Sequence, residues 1–248
     1  MSRPQTTRRL EILKTATEFI FSVGYSKTSP QMIAKKMNMS TGNITHYFPS
    51  KEHLLCTLVE MLCEFQWRMF EGSTEQGFGS IGSICMEMMT VAIGCEQSEV
   101  ARDFFSAAFE SEMCRNYLRE HHVKRAKMIF EKECEGWTDQ DFEQAELLVM
   151  GLQYSTIAAS DAHIPLKAKI SGALDHILSI YLVDEAVRKR EIDKVMNLDY
   201  RRISEQVIEE FISFVNKTNK NALDEMKKTV RKREKAKTKL LSERSKAI

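Results

Sequence analysis

Proline and glycine are scarce in this chain, four and ten among 248 residues, and uninterrupted β-branched runs are few. Both shortages favour helices over sheet. No apolar run approaches the roughly 18 residues that a membrane span would need. Behind Met1-Ser2-Arg3-Pro4-Gln5 there is no apolar core, which argues against a signal peptide and for a cytoplasmic protein. The six cysteines are widely spaced, with no C-x-x-C pair and no nearby histidine pattern, so neither a zinc site nor a disulfide framework is expected. Buried, reduced thiols are the simpler expectation. Also missing are a nucleophile–base pairing, a glycine-rich phosphate loop and any metal-ligand spacing, so neither catalysis nor a cofactor is indicated. His121-His122 is the one adjacent histidine pair, and neighbouring residues on a helix point in different directions.

What is present is polarity of charge. The overall +1 divides into a net +5 over residues 1–55, −12 over residues 56–216 and +8 over residues 217–248. A basic head, an acidic middle and a basic tail suggest that only part of the molecule meets a polyanion. The same boundaries divide the chain into an expected basic head (1–55), an acidic helical body (56–216) and a basic tail (217–248). For the tail, an extra phosphate-binding arm and a solvated or frayed helix both remain open.

The most informative stretch runs from Ser29 to Phe48. A first helix fits 8–23, with Leu10, Leu13, Thr17 and Ile20 at helical spacing and Gly24 as its stop. Ser29 reads as an N-cap with Pro30 in the first helical position, where a missing N–H costs nothing. Asn38 sits where the chain must reverse, and asparagine tolerates the left-handed conformation. Ser40 then caps a third helix. On its wheel Ile44 and Phe48 mark the buried side, while Gly42, Asn43, Thr45 and His46 point outward and Thr41 and Tyr47 border them. A short helix that offers hydroxyl, amide, imidazole and a glycine gap fits the recognition element of a helix-turn-helix.

From Arg8 to Leu58 the chain resembles the N-terminal domain of the tetracycline-repressor (TetR) family of bacterial transcription regulators. The resemblance is carried by Ile12, Ala16, Gly24-Tyr25-Ser26-Lys27-Thr28, Ile33-Ala34, Met39-Ser40-Thr41-Gly42-Asn43-Ile44, Tyr47-Phe48-Pro49-Ser50-Lys51 and Leu54-Leu55. The family commonly has glycine where Asn38 stands and an aromatic where Thr45 stands; the threonine methyl can still touch a thymine. The resemblance implies base contacts from Thr41, Gly42, Asn43 and Thr45. It implies phosphate contacts from His46, Tyr47 and Lys51, helped by Thr28 and Ser29, with Ser40 at the N-cap completing the set. Against this stand plainer roles: Tyr47 as a core aromatic, Ser29, Ser40 and Ser50 as caps alone, and His46 as a surface residue.

The rest reads as all-α. Helices are expected over 54–70, 80–94, 98–110, 112–134, 139–160, 166–184, 186–197 and 200–216, with a loop over 72–79. Thr138 and Asp141 suggest a capping box, and Pro165 starts a helix. The resemblance implies a homodimer, with 139–160 and 166–184 as its candidate interface, and a pocket for a small apolar or amphipathic effector. Met86, Met89, Phe105, Phe109, Tyr117 and Tyr154 are candidate lining, though at helical spacing such residues serve equally as plain core. The function implied is a ligand-responsive repressor that binds double-stranded DNA at a palindromic operator. Two alternatives stay open: a constitutive or activating regulator with a protein co-regulator, and a helical carrier of hydrophobic ligands or an enzyme.

Overall fold

The computed structural model describes residues 3–75, 79–159 and 163–218. They form eleven helices and no strand: α1 (Arg3–Val23), α2 (Pro30–Lys36), α3 (Thr41–Tyr47), α4 (Lys51–Glu75), α5 (Ser80–Gln97), α6 (Glu99–Glu110), α7 (Glu112–Ile129), α8 (Asp139–Ala158), α9 (Leu166–Ile180), α10 (Glu185–Met196) and α11 (Tyr200–Lys217). Among the described residues no helix is long and apolar enough to cross a membrane. Most of the basic tail, residues 219–248, lies outside the described residues.

The punctuation follows local chemistry. Ser29, Ser40, Ser98 and Ser111 each accept a backbone N–H at the start of the helix they precede, satisfying one of the donors that every helix N-terminus leaves unpaired. Thr138 and Asp141 close a reciprocal capping box at α8. Their hydrogen bonds also hold the Asp141 carboxyl below its ordinary value. Asn38 takes a φ of +53° between α2 and α3.

Four boundaries differ from the periodicity reading by four residues or more. Helix α1 begins at Arg3 rather than near residue 8. Helix α4 runs on through Gly72 to Glu75, so half of the expected 72–79 loop is helix; one interior glycine costs about 1 kcal/mol, which a long packed helix absorbs. Helix α7 stops at Ile129 rather than 134, because the chain turns while keeping Phe130 and Cys134 buried. Helix α9 stops at Ile180 rather than 184: Leu182 adopts a φ of +56°, and Val183 N–H reaches back to Leu178 C=O at 3.1 Å.

Two apolar clusters fill the interior. One joins the α1–α3 head to the first half of α4, then continues into Phe104 of α6, Cys114 and Leu118 of α7, Met150 of α8 and Phe211 and Val215 of α11. The other lies among α5, α7, α8, α9 and α10. The boundary expected after residue 55 therefore falls inside α4, with a single core running across it. All six cysteines are free thiols and buried.

Candidate DNA-reading face and body cavity

The third helix turns the way its apolar residues require. Ile44 and Phe48 are 1% and 2% exposed, whereas Gly42, Asn43, Thr45 and His46 are exposed and Thr41 and Tyr47 half-buried. Nothing inside the protein demands a glycine at position 42: a methyl added there would meet only Ser40 Oγ, at 3.8 Å. Ser29 is half-buried and Ser40 exposed, each committed to its cap. Thr28 lies behind this face, 3% exposed, with its hydroxyl donating to Gly24 C=O at 2.7 Å.

Lys51, in the first turn of α4, is tied to the head. Its ammonium donates to Ser26 C=O at 3.2 Å and lies 4.1 Å from the centre of the Tyr25 ring. Burial lowers its pKa, opposed by the nearby Asp103 carboxylate.

Periodicity gave no hint of Asp103 on α6, which latches the head to the body. It accepts the Ser26 N–H at 2.8 Å on Oδ2 and the Ser26 hydroxyl on Oδ1. Gly24, with a φ of +99°, lets that carboxylate approach; a Cβ there would stand 2.7 Å from Asp103 Oδ2. The next two residues of α6 face inward: Phe104 packs on Phe21 of α1 with ring centres 5.3 Å apart, and Phe105 lines the body cavity. One helix thus touches the head and the cavity together. Asp103→Ala should raise amide hydrogen exchange in the Gly24–Thr28 turn about tenfold, because a charge-assisted pair worth about 1.5 kcal/mol is lost. Unchanged exchange would mean that the turn holds itself.

The body holds two adjoining lobes of empty space. One, of about 60 Å³, lies among α1, α4, α5, α6 and α11 and reaches Phe21 of the head. The other, of about 80 Å³, lies among α4 to α9. They share Leu62, Gln66, Glu87, Val91 and Phe105 as a common wall. Of the residues expected to line a pocket, Met86 lines the first lobe, Phe105 both and Phe109 the second. Met89 is fully buried in the second core cluster. Tyr117 and Tyr154 lie outside both linings; Tyr117 stacks on His121, and the Tyr154 hydroxyl donates to Glu110 Oε1 at 3.1 Å. Periodicity missed the polar members of the second lobe, Gln66, Glu87, His122, Gln153 and Thr156. His122 Nδ1 bonds Glu146 Oε1 at 2.9 Å, and Tyr181 donates to Glu146 Oε2 at 2.7 Å, with Glu146 only 2% exposed.

On the outer surface of α8, Leu147 and Leu148 are 57% and 62% exposed, and Gly151, Ser155 and Ala158 are exposed beside them. Gly151, and Gly172 on α9, have open space where a side chain would project. Ile177 of α9 and Tyr181 at its C-terminal cap face the chain's own core instead, each 2% exposed.

A three-helix head presenting a short polar recognition helix, continuous with an all-helical body, defines a helix-turn-helix DNA-binding transcription regulator. Residues 12–56 match the model of the bacterial regulatory proteins of the tetR family. No curated protein matches the chain significantly by sequence. Among solved structures, Mycobacterium smegmatis AmtR aligns over 77% of this chain and 95% of its own, at 20% identity and a TM-score of 0.40. Salmonella enterica GusR aligns over 80% of this chain and 99% of its own, at 20% identity and a TM-score of 0.44.

Proposed function

We infer that the protein is a cytoplasmic, homodimeric repressor that releases a palindromic operator when a small molecule enters its body. The observation that carries this reading is α6, which joins the cavity wall at Phe105 to the head latch at Asp103. A ligand that favours one position of α6 shifts the placement of the head by its difference in affinity for the two states. The dimer is supported by the unpartnered Leu147 and Leu148 and the open glycine surface on α8 and α9, since close helix packing needs such small residues. Two heads about 34 Å apart would read two half-sites. On DNA, Gly42, Asn43, Thr45 and Thr41 would meet bases, while His46, Tyr47, Ser29 and Ser40 sit toward the phosphates. Lys51 would reach a phosphate by leaving its clamp on Ser26. The hydroxyl of Thr28, donated to Gly24 C=O, supports reading it as a prop of the turn.

The deciding experiment is retardation and footprinting of the DNA flanking the protein's own gene. A protected palindrome supports the reading; failure to retard any such fragment would favour a hydrophobic-ligand carrier. At residue level, Gly42→Ala should hold or slightly raise the melting temperature, since alanine is the better helix former. It should weaken operator binding about tenfold in an anisotropy titration, because the backbone is kept from a base edge. Unchanged affinity would remove Gly42 from the interface.

A further inference from the structure

We propose that the body cavity is built for an elongated, mainly apolar molecule ending in a hydrogen-bond donor, a hydroxyl or an amine, and that it rejects the carboxylate of the same length. The proposal rests on the reading of the body as an effector-binding domain and names the chemistry of its ligand.

The shape comes from the two lobes, which meet along one shared wall at Gln66, Glu87 and Phe105. Most of the remaining lining is aliphatic or aromatic, so an apolar chain that displaces the shared wall and fills both lobes gains roughly 25 cal/mol for each Å² it hides from water. Gln66 and Glu87 line both lobes, but the unmatched buried polar atom among the described lining residues lies in the second. Gln153 and His122 line the second lobe only, whereas in the first lobe the Thr90 hydroxyl is already bonded to Glu87 C=O at 2.8 Å. The head group of the ligand therefore belongs in the second lobe, and its chain points toward Phe21 of α1.

The sign of that polarity selects the head group. Gln153 Oε1 is buried without a hydrogen-bond partner, and a buried acceptor left unmatched is costly until something donates to it. His122 is already bonded to the Glu146 carboxylate through Nδ1, so Gln153 Oε1 is the polar atom of the second lobe left to meet a ligand. The Glu87 carboxylate is held by both terminal nitrogens of Arg125, so that guanidinium is engaged rather than waiting for an anion. The acceptors on the lining are thus Gln153 Oε1 and the Glu87 carboxylate. A hydroxyl or ammonium satisfies them, while a carboxylate brings more lone pairs and a second negative charge beside Glu87.

The test uses the full-length chain and three probes with one eight-carbon chain: 1-octanol, octylamine and octanoate, titrated by calorimetry at pH 7. Octanol or octylamine should bind at least tenfold more tightly than octanoate, and Gln153→Leu should remove about tenfold of that preference. Octanoate binding as tightly or more tightly would overturn the proposal, as would binding by none of the three. A parallel operator titration separates the two levels. A chain that binds operator but no probe keeps the regulator reading and loses this one; a chain that binds octanol but no DNA does the reverse.

Discussion

Glu146→Ala should lower the stability of the protein by about 3–5 kcal/mol, the largest loss expected from one polar substitution in the body. The carboxylate is 2% exposed and accepts two hydrogen bonds, from the Tyr181 hydroxyl and from His122. Removing it strands both donors in the interior, each at about 1–3 kcal/mol, and leaves a void beneath the cavity wall. At about 2–4 °C per kcal/mol for a chain of this size, the melting temperature should fall by roughly 10 °C. The orphaned partners matter more than the lost bonds, so the double variant Glu146→Leu with Tyr181→Phe should recover the Tyr181 share of the loss and leave that of His122. Replacing both ends of a buried polar pair by apolar groups of similar shape is often close to neutral. A double-mutant cycle by chemical denaturation checks this. A loss below 1 kcal/mol in the single variant would show that water takes the place of the carboxylate. The same substitution should disturb ligand binding, because His122 loses the partner that fixes its tautomer.

The head was legible in the sequence to the level of individual side chains, and the reason is locality. Ser29 capping α2, Ser40 capping α3 and Asn38 turning left-handed between them are each decided within four residues. The outward placement of Asn43 and His46 follows from Ile44 and Phe48 facing in, as helical geometry requires. The long-range partnerships were not legible. Asp103 meets Ser26 across 77 positions, Tyr181 meets Glu146 across 35 and His122 meets Glu146 across 24. Such pairings depend on how helices cross, and amphipathic periodicity is silent on crossing. The cavity shows the same division. Phe105 and Phe109 line it, yet the equally apolar Met89 lies in solid core, because periodicity separates inside from outside without telling a filled interior from an empty one. Composition suggested a domain boundary near residue 55, but α4 carries one helix and one core straight through it.

Stability should fall steeply once the pH passes about 9, and the buried thiols set the slope. Burial pushes the Cys85 and Cys95 thiols from an ordinary 9.0 up to about 12 and raises Cys63 as well. In the folded chain these groups keep their protons; in the unfolded chain they release them above pH 9. Over that interval the folded state binds more protons, so rising pH favours unfolding. Their contribution is fully present below the unfolded value and is lost as the pH climbs toward the folded ones. Each thiol costs about 1.4 kcal/mol per pH unit, and the three together about 4 kcal/mol per unit between pH 9.5 and 11. Tyr181, whose hydroxyl burial and Glu146 hold well above its ordinary value, adds to the slope beyond pH 10. Because a folded domain is stable by only about 5–15 kcal/mol, the chain should unfold by about pH 11. Urea titrations at pH 7, 9, 10 and 10.5 measure the slope directly. Replacing Cys63, Cys85 and Cys95 together by alanine should flatten it while lowering stability at neutral pH through lost packing. A flat profile in the parent protein would mean that these thiols reach water in the native state.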